Sequence, residues 1–376
     1  MARSQATKCG KEHTGGCLLV TMRDVAEAVG VSHAAVSYAY NRPDKLSEQQ
    51  RSRILTVAAE LGYPGPNPTG RGLRTGKVDA LGLVLADSLA YAFDDPGVAM
   101  LMRGISEVGE LTQVALTLLP APLEAVPATV GTGLSSRALV DGFLVYAMAD
   151  HHPVLENVLH RRLPVVVIDG PALDGHSLVG IDDRGAAREA ARHLLALGHR
   201  DVGVLVSRLS PDGRSGPVSR ARIAKARDRV MKARVAGYQS AFAEAKIGAP
   251  RVIEAGGFSA AQSRAAAELL LDTCPVTAVL AATDVLALAL LDAARARGLR
   301  VPDDLAVVGF DDIPAAASAD LTTIRQPQAE KGQQAARLLL NTIDGERGTH
   351  FITLPTELVV RGSTDTRPGK PATSPR

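Results

Sequence analysis

The chain has no tryptophan and only six tyrosines and six phenylalanines in 376 residues, so any aromatic surface offered to a ligand must come from a handful of positions. Its cysteines, Cys9, Cys17 and Cys274, are few and odd in number, which gives no disulfide framework. No apolar run approaches a membrane span, and the opening residues, M-A-R-S-Q-A-T-K-C-G-K-E-H, hold no apolar signal core. Both absences point to the cytoplasm. A phosphate-binding glycine loop, an H-E-x-x-H pair and a G-x-S-x-G elbow are missing too, which disfavours an enzyme and leaves no catalytic residue or cofactor to name. Charge of one sign is also lacking: 42 basic residues against 40 acidic ones give a net charge of +2. The first hundred residues and the 208–234 stretch are nevertheless richer in Arg and Lys than the rest, and a nucleic-acid binder needs only a local footprint.

What is present begins with V-T-M-R-D-V-A-E-A-V-G-V-S-H-A-A-V-S-Y-A-Y-N, residues 20–41. Thr21 is placed to cap a first helix, with Asp24 as its capping-box partner, and Val25, Ala28 and Val29 share a face. Gly30 ends that helix and Ser32 caps the next, in which Val36 packs inward while Ser37 and Tyr38 face outward. Ser47-Glu48-Gln49-Gln50 is a further capping box, opening a third helix with Ile54, Leu55, Ala58 and Leu61 and ending near Gly62. This is the pattern of a helix-turn-helix. The same spacing also suits any capped three-helix bundle.

Cys9, His13 and Cys17 are evenly spaced, but three ligands fall short of a structural zinc site and the intervening glycines suit a flexible arm, so no metal is expected. From Ala80 onward, strands alternate with amphipathic helices. Strands are expected at Ala80–Leu85, Val114–Leu119, Asp141–Tyr146, Val165–Ile168, Val202–Val206, Ala278–Ala281, Leu305–Phe310 and Glu357–Val360, with a helix over Val98–Glu110 and helix ends at Leu197-Gly198 and Arg297-Gly298. Such alternation calls for parallel doubly wound sheets with ligands held beyond the strand ends, and its length suggests two sheets and a cleft. Of the pairs Asp182-Asp183, Asp303-Asp304 and Asp311-Asp312, the first two read as helix caps, whereas the third follows a buried strand directly.

The run L-G-Y-P-G-P-N-P-T-G-R-G-L-R-T-G, residues 61–76, joined to the opening motif, resembles the lactose and galactose repressor family, and the resemblance continues almost to the end of the chain. It implies an N-terminal all-α helix-turn-helix domain plus an α/β periplasmic-binding-protein-like core of two doubly wound parallel-sheet subdomains. The implied organisation is a disordered extension at 1–19, the helix-turn-helix at 20–64, a hinge at 65–77, an effector-binding and dimerisation core at 78–365 and a disordered tail at 366–376. Within the core, one subdomain takes about 78–180 with 326–354 and the other 181–325 with 355–365. For DNA, the resemblance assigns phosphate contacts to Thr21, Ser32, Ser37 and Asn41, base reading to His33, Ala34 and Tyr38, and a minor-groove wedge to Leu73. For the effector it assigns Arg234 of A-R-V-A-G-Y, Asp311 of V-G-F-D-D, Asp169 of V-V-V-I-D and Phe258 of G-G-F-S-A, with Thr283 where many relatives carry Asn. A guanidinium fork and carboxylates suit a polyol, since one donates to hydroxyls and the others accept from them. Tyr91, Phe93, Tyr146 and Phe310 are the other aromatic candidates near the cleft, of which Phe93 is taken as an effector contact.

The expected protein is a sequence-specific repressor, a homodimer on a pseudopalindromic operator of double-stranded DNA, controlled by a small molecule, in the first instance a sugar. Its tail has no heptads and two prolines in the last six residues, which favours a dimer over a tetramer. A nucleoside- or purine-type effector and a solute-binding protein without a regulatory role are the alternatives. The basic Ser207–Val230 stretch is long for its place and reads as a lid, a DNA-directed patch or a solvated loop, the first being favoured as a partly mobile lid.

Overall fold

A computed structural model of the protein describes residues 20–66, 76–109, 111, 114–122 and 133–364. Internal contacts divide the chain into two units at Val78 and Asp79.

The first unit is built on three helices, α1 (Met22–Val29), α2 (His33–Asn41) and α3 (Glu48–Glu60). Thr21 Oγ1 accepts from the Asp24 N–H while Asp24 receives the Thr21 N–H at 2.7 Å, a complete capping box. Gly30 sits at φ 74°, a left-handed conformation that closes α1 and turns the chain into the Ser32 cap of α2. Val25, Val29, Val36, Ala39, Ile54 and Ala58 are fully or nearly fully buried in a shared core. The inner face of α1 takes Ala26 rather than Ala28, which is exposed. Arg53 donates to the Val29 carbonyl and Arg51 to the Ala39 carbonyl, both at 3.2 Å, so two cations of α3 serve the carboxyl ends of α1 and α2.

In the second unit the described strands form two sheets. Strands β1 (Ala80–Leu85), β2 (Ala115–Pro120), β3 (Gly142–Tyr146), β4 (Val165–Ile168) and β5 (Ser177–Ile181) belong to the first. The second holds β6 (Val202–Val206), β7 (Gly216–Pro217), β8 (Arg251–Glu254), β9 (Ala278–Ala281), β10 (Ala306–Asp311) and β11 (Thr322–Arg325). The chain then returns β12 (Phe351–Leu354) to the first sheet and β13 (Glu357–Val359) to the second. The orders are β12-β5-β4-β3-β1-β2 and β13-β11-β10-β9-β6-β8-β7. Every pair is parallel except the two at the edges of the second sheet, β11 with β13 and β7 with β8.

Parallel strands covered by helices on both faces should be apolar, and β1, β3, β4, β6 and β9 are. In β1, Leu81, Leu83 and Leu85 face one cluster with Leu101, Ile105 and Leu339, while Val84 faces another with Phe143 and Val158. In the second sheet Val204 and Phe310 pack under the Asp183–Ala196 and Arg229–Glu244 helices, and Leu205 and Val307 under Ala260–Thr273 and Asp284–Ala296. The expected helix over Val98–Glu110 runs instead over Pro96–Ser106, because Asp95 caps the Gly97 N–H at 2.8 Å and Pro96 takes the first turn. Among the described residues no helix is long and apolar enough to cross a membrane.

Candidate functional sites

On the first unit, α2 presents His33 and Ala34 in its first turn, and Tyr38 one turn on stands 42% exposed. The Ser32 Oγ accepts from the Ala35 N–H at 3.1 Å, which leaves the earlier N–H groups of the turn directed outward, the usual anchor for a phosphate. Thr21 is exposed at the start of α1. Ser37 differs from the outward placement expected for it: it is only 8% exposed, because it lies between Val36 and Ala39 on the inner side of α2. Asn41 covers it, donating from Nδ2 to the Ser37 carbonyl at 3.1 Å and lying 3.5 Å from the Ser37 hydroxyl. Leu73 and the 67–75 part of the hinge lie outside the described residues.

In the second unit a cavity opens between the two sheets, beyond the carboxyl ends of their strands, where ligands of open parallel sheets bind. Asp169 follows β4, Asp311 ends β10 and Thr283 follows β9, and all three line it together with Arg234 and Phe258. Thr283 also caps the Asp284–Ala296 helix by accepting from the Leu286 N–H at 3.3 Å.

Arg234 is 3% exposed on the Arg229–Glu244 helix. Its Nε donates to Asp183 at 2.8 Å, its Nη1 lies 3.5 Å from Asp311, and its guanidinium sits 3.6 Å from the Phe310 ring centre. The same helix brings Gly237 so close to the Asp183–Ala196 helix that a Cβ there would stand 2.3 Å from the Arg184 carbonyl, so glycine sets the distance at which Arg234 meets Asp183. Across the cavity Lys331, fully buried, holds both Asp169 oxygens at 2.7 and 2.8 Å and also donates to Gln326. Gln326 in turn donates to Asp311. The result is one continuous chain, Asp169–Lys331–Gln326–Asp311–Arg234–Asp183, running from the first sheet to the second. Burial raises the Asp311 carboxyl above its ordinary range, and the Arg234 guanidinium pulls against that rise. Burial likewise raises Asp95 and Asp228, which also line the cavity.

Two expectations are corrected, those for Phe93 and for the 207–230 segment, and the reading of Phe258 gains detail. Phe93 is 72% exposed and is not among the cavity residues; Tyr91, two residues earlier on the same short helix, takes the wall position. Phe258 borders the cavity, but its ring is already stacked on Tyr91 at 4.7 Å and covered by the Arg208 guanidinium at 4.4 Å. The 207–230 segment is pinned by specific bonds along its length. Arg222 pairs with Asp212 at 2.6 Å and Glu254 at 2.8 Å, and Arg227 donates to the Asp150 and His151 carbonyls at 2.9 and 2.7 Å. Sequence reasoning missed Lys331, Gln326 and Asp183. The first looks like a solvated helix position, and the aspartate looked like a cap.

Residues 21–67 match the family described as "Bacterial regulatory proteins, lacI family", and residues 191–364 match the "Periplasmic binding protein-like domain". An HTH-type transcriptional regulator of Mycobacterium tuberculosis is 41% identical over 324 residues, covering 85% of this chain and 90% of its own. Among solved structures, a lac repressor dimer bound to operator and the anti-inducer ONPF is 25% identical with a TM-score of 0.73, covering 92% of this chain and 99% of its own. The complex of the transcriptional regulator CelR with cellobiose is 27% identical with a TM-score of 0.63, covering 92% and 99%. With helix-turn-helix helices ahead of two parallel-sheet subdomains, this chain belongs to the lacI family of DNA-binding transcriptional regulators and is not an enzyme.

Proposed function

We propose that the protein is a cytoplasmic repressor that binds a pseudopalindromic operator as a homodimer and is controlled by a polyhydroxylated effector, a sugar or related polyol, in the cleft between its sheets. The observation that carries this reading is the buried chain from Asp169 to Asp183, which puts carboxylates and a guanidinium around one cavity at strand ends. Such groups exchange hydrogen bonds with adjacent hydroxyls and are stronger partners than neutral ones. The cellobiose complex of one relative and the operator-bound dimer of another support the same assignment.

On the DNA side Thr21, Ser32 and Asn41 hold phosphates, while His33, Ala34 and Tyr38 read base edges and Leu73 wedges the minor groove. Ser37 acts through the Asn41 it supports. Effector binding changes how the two sheets stand to each other, and the hinge carries that change to the operator. Melting the full chain against a panel of five- and six-carbon sugars and polyols tests the effector reading, since a ligand of the native state raises Tm. At least one member should stabilise the wild type, and Arg234→Ala and Asp311→Ala should each abolish that shift while DNA binding stays near wild type. An undiminished shift in both variants removes the cleft from the account.

A further inference from the structure

The described residues lining the cavity include five aspartates, Asp94, Asp95, Asp169, Asp228 and Asp311, against a single cation, Arg234. That cation is already engaged by Asp183 at 2.8 Å and Asp311 at 3.5 Å. The two other buried cations beside the cavity are engaged as well: Lys331 by Asp169 at 2.7 Å, Arg208 by Asp87 at 3.4 Å and Asp228 at 3.8 Å. Burial favours the protonated form of Asp311, yet a phosphate or carboxylate entering here would still find no unengaged cation and would face the remaining carboxylates in an enclosed site where screening by salt is weak. An uncharged hydroxyl meets the opposite situation, a wall of acceptors waiting for donors.

One acceptor stands out. Gln328, in the first turn of the Gln328–Ile343 helix, lines the cavity and is only 3% exposed. Its carboxamide hydrogen-bonds with the Tyr146 hydroxyl at the end of β3, yet its Oε1 is buried without a hydrogen-bond partner among the described residues. Buried carbonyl oxygens of this kind are almost always paired, because leaving one unpaired is destabilising. A hydroxyl hydrogen from a bound molecule supplies the missing donor, and a carboxamide reads that hydroxyl without adding a further charge to a cavity already rich in aspartate.

We propose that this cleft selects an uncharged polyol over its phosphorylated or carboxylated counterpart, and that Gln328 Oε1 accepts one of its hydroxyl hydrogens. The inference rests on the reading of the cleft as the effector site. Calorimetry on the full chain tests both parts. The probes are five- and six-carbon aldoses, ketoses and ring and open-chain polyols, each paired with its monophosphate ester, as glucose with glucose 6-phosphate and ribose with ribose 5-phosphate. The expected result is that a neutral member binds at least tenfold more tightly than its ester. Gln328→Met, which keeps the volume and removes both the free acceptor and the bond to Tyr146, should weaken that neutral member about tenfold, the loss of one hydrogen bond to the ligand, while the effector-free protein still melts cooperatively, its Tm lowered by no more than about 4 °C for the lost Tyr146 bond.

An ester that binds as tightly as its parent overturns the charge selection. A methionine variant with wild-type affinity, or one that loses binding only because its effector-free Tm has collapsed, overturns the role of Gln328. If no probe of either kind binds, the polyhydroxylated effector itself is wrong, an outcome distinct from the other three.

Discussion

Tyr38 stands 42% exposed one turn into α2, past the N–H groups suited to phosphate, and the proposed function assigns its ring and hydroxyl to base edges. Tyr38→Ala should therefore weaken binding to an operator recovered by selection from random DNA about tenfold, and leave binding to unrelated DNA and the salt slope unchanged. Titrations at several salt concentrations decide it, and an equal loss on both DNAs assigns Tyr38 to the backbone instead. At this scale the sequence was uneven. Arg234 and Asp311 stand in recognisable runs, and they do lie 3.5 Å apart at the cavity. Phe93 and Tyr91 occupy one six-residue helix, too short for apolar periodicity to say which of two aromatics faces inward, and the inward one is Tyr91. Lys331 was illegible for a different reason: a lysine on an amphipathic helix belongs in solvent unless a carboxylate meets it, and Asp169 is 162 residues away in sequence.

Elements were easier to read than residues. Strands β1, β3, β4, β6 and β9 announce themselves as short apolar runs, mostly of Val, Leu, Ile and Ala, since strands covered on both faces need no polar alternation, whereas β5, β7, β8, β11 and β12, which are short or carry Ser, Arg, Glu or Thr, went unread. Boundaries moved by a residue or two where a cap decided them, as Asp95 did for the Pro96–Ser106 helix. The 207–230 segment was misread because its order comes from contacts remote in sequence, Arg222 with Glu254 and Arg227 with the 150–151 carbonyls, which no local pattern records. Gly237 shows how an element positions the site. A methyl group there would collide with the Arg184 carbonyl, backbone that cannot swing aside, so Gly237→Ala should push the Arg229–Glu244 helix outward. The expected cost is about 3 kcal/mol of stability, together with weaker effector binding through the displaced Arg234. Denaturant melts and calorimetry check the pair of effects; an unchanged midpoint would show that the two helices tolerate separation.

For the whole molecule, the two-sheet core and the helix-turn-helix follow from alternating patterns and caps, whereas the proposed coupling between effector and DNA lies in no single motif. The cleft holds residues from both subdomains in one chain of hydrogen bonds and ion pairs, with Asp169 contributed by the first and Asp311 and Arg234 by the second. A ligand that competes for these partners has differential contacts in differently opened states, which is the physical requirement for allostery. The most direct measurement is the Kd of the full chain for a selected operator, at fixed salt, with and without a saturating polyol that calorimetry shows to bind. A change of at least tenfold in the wild type, about 1.4 kcal/mol of coupling, and none in Arg234→Ala is the expected result. An operator Kd that stays the same with the cleft filled would contradict an effector-controlled regulator.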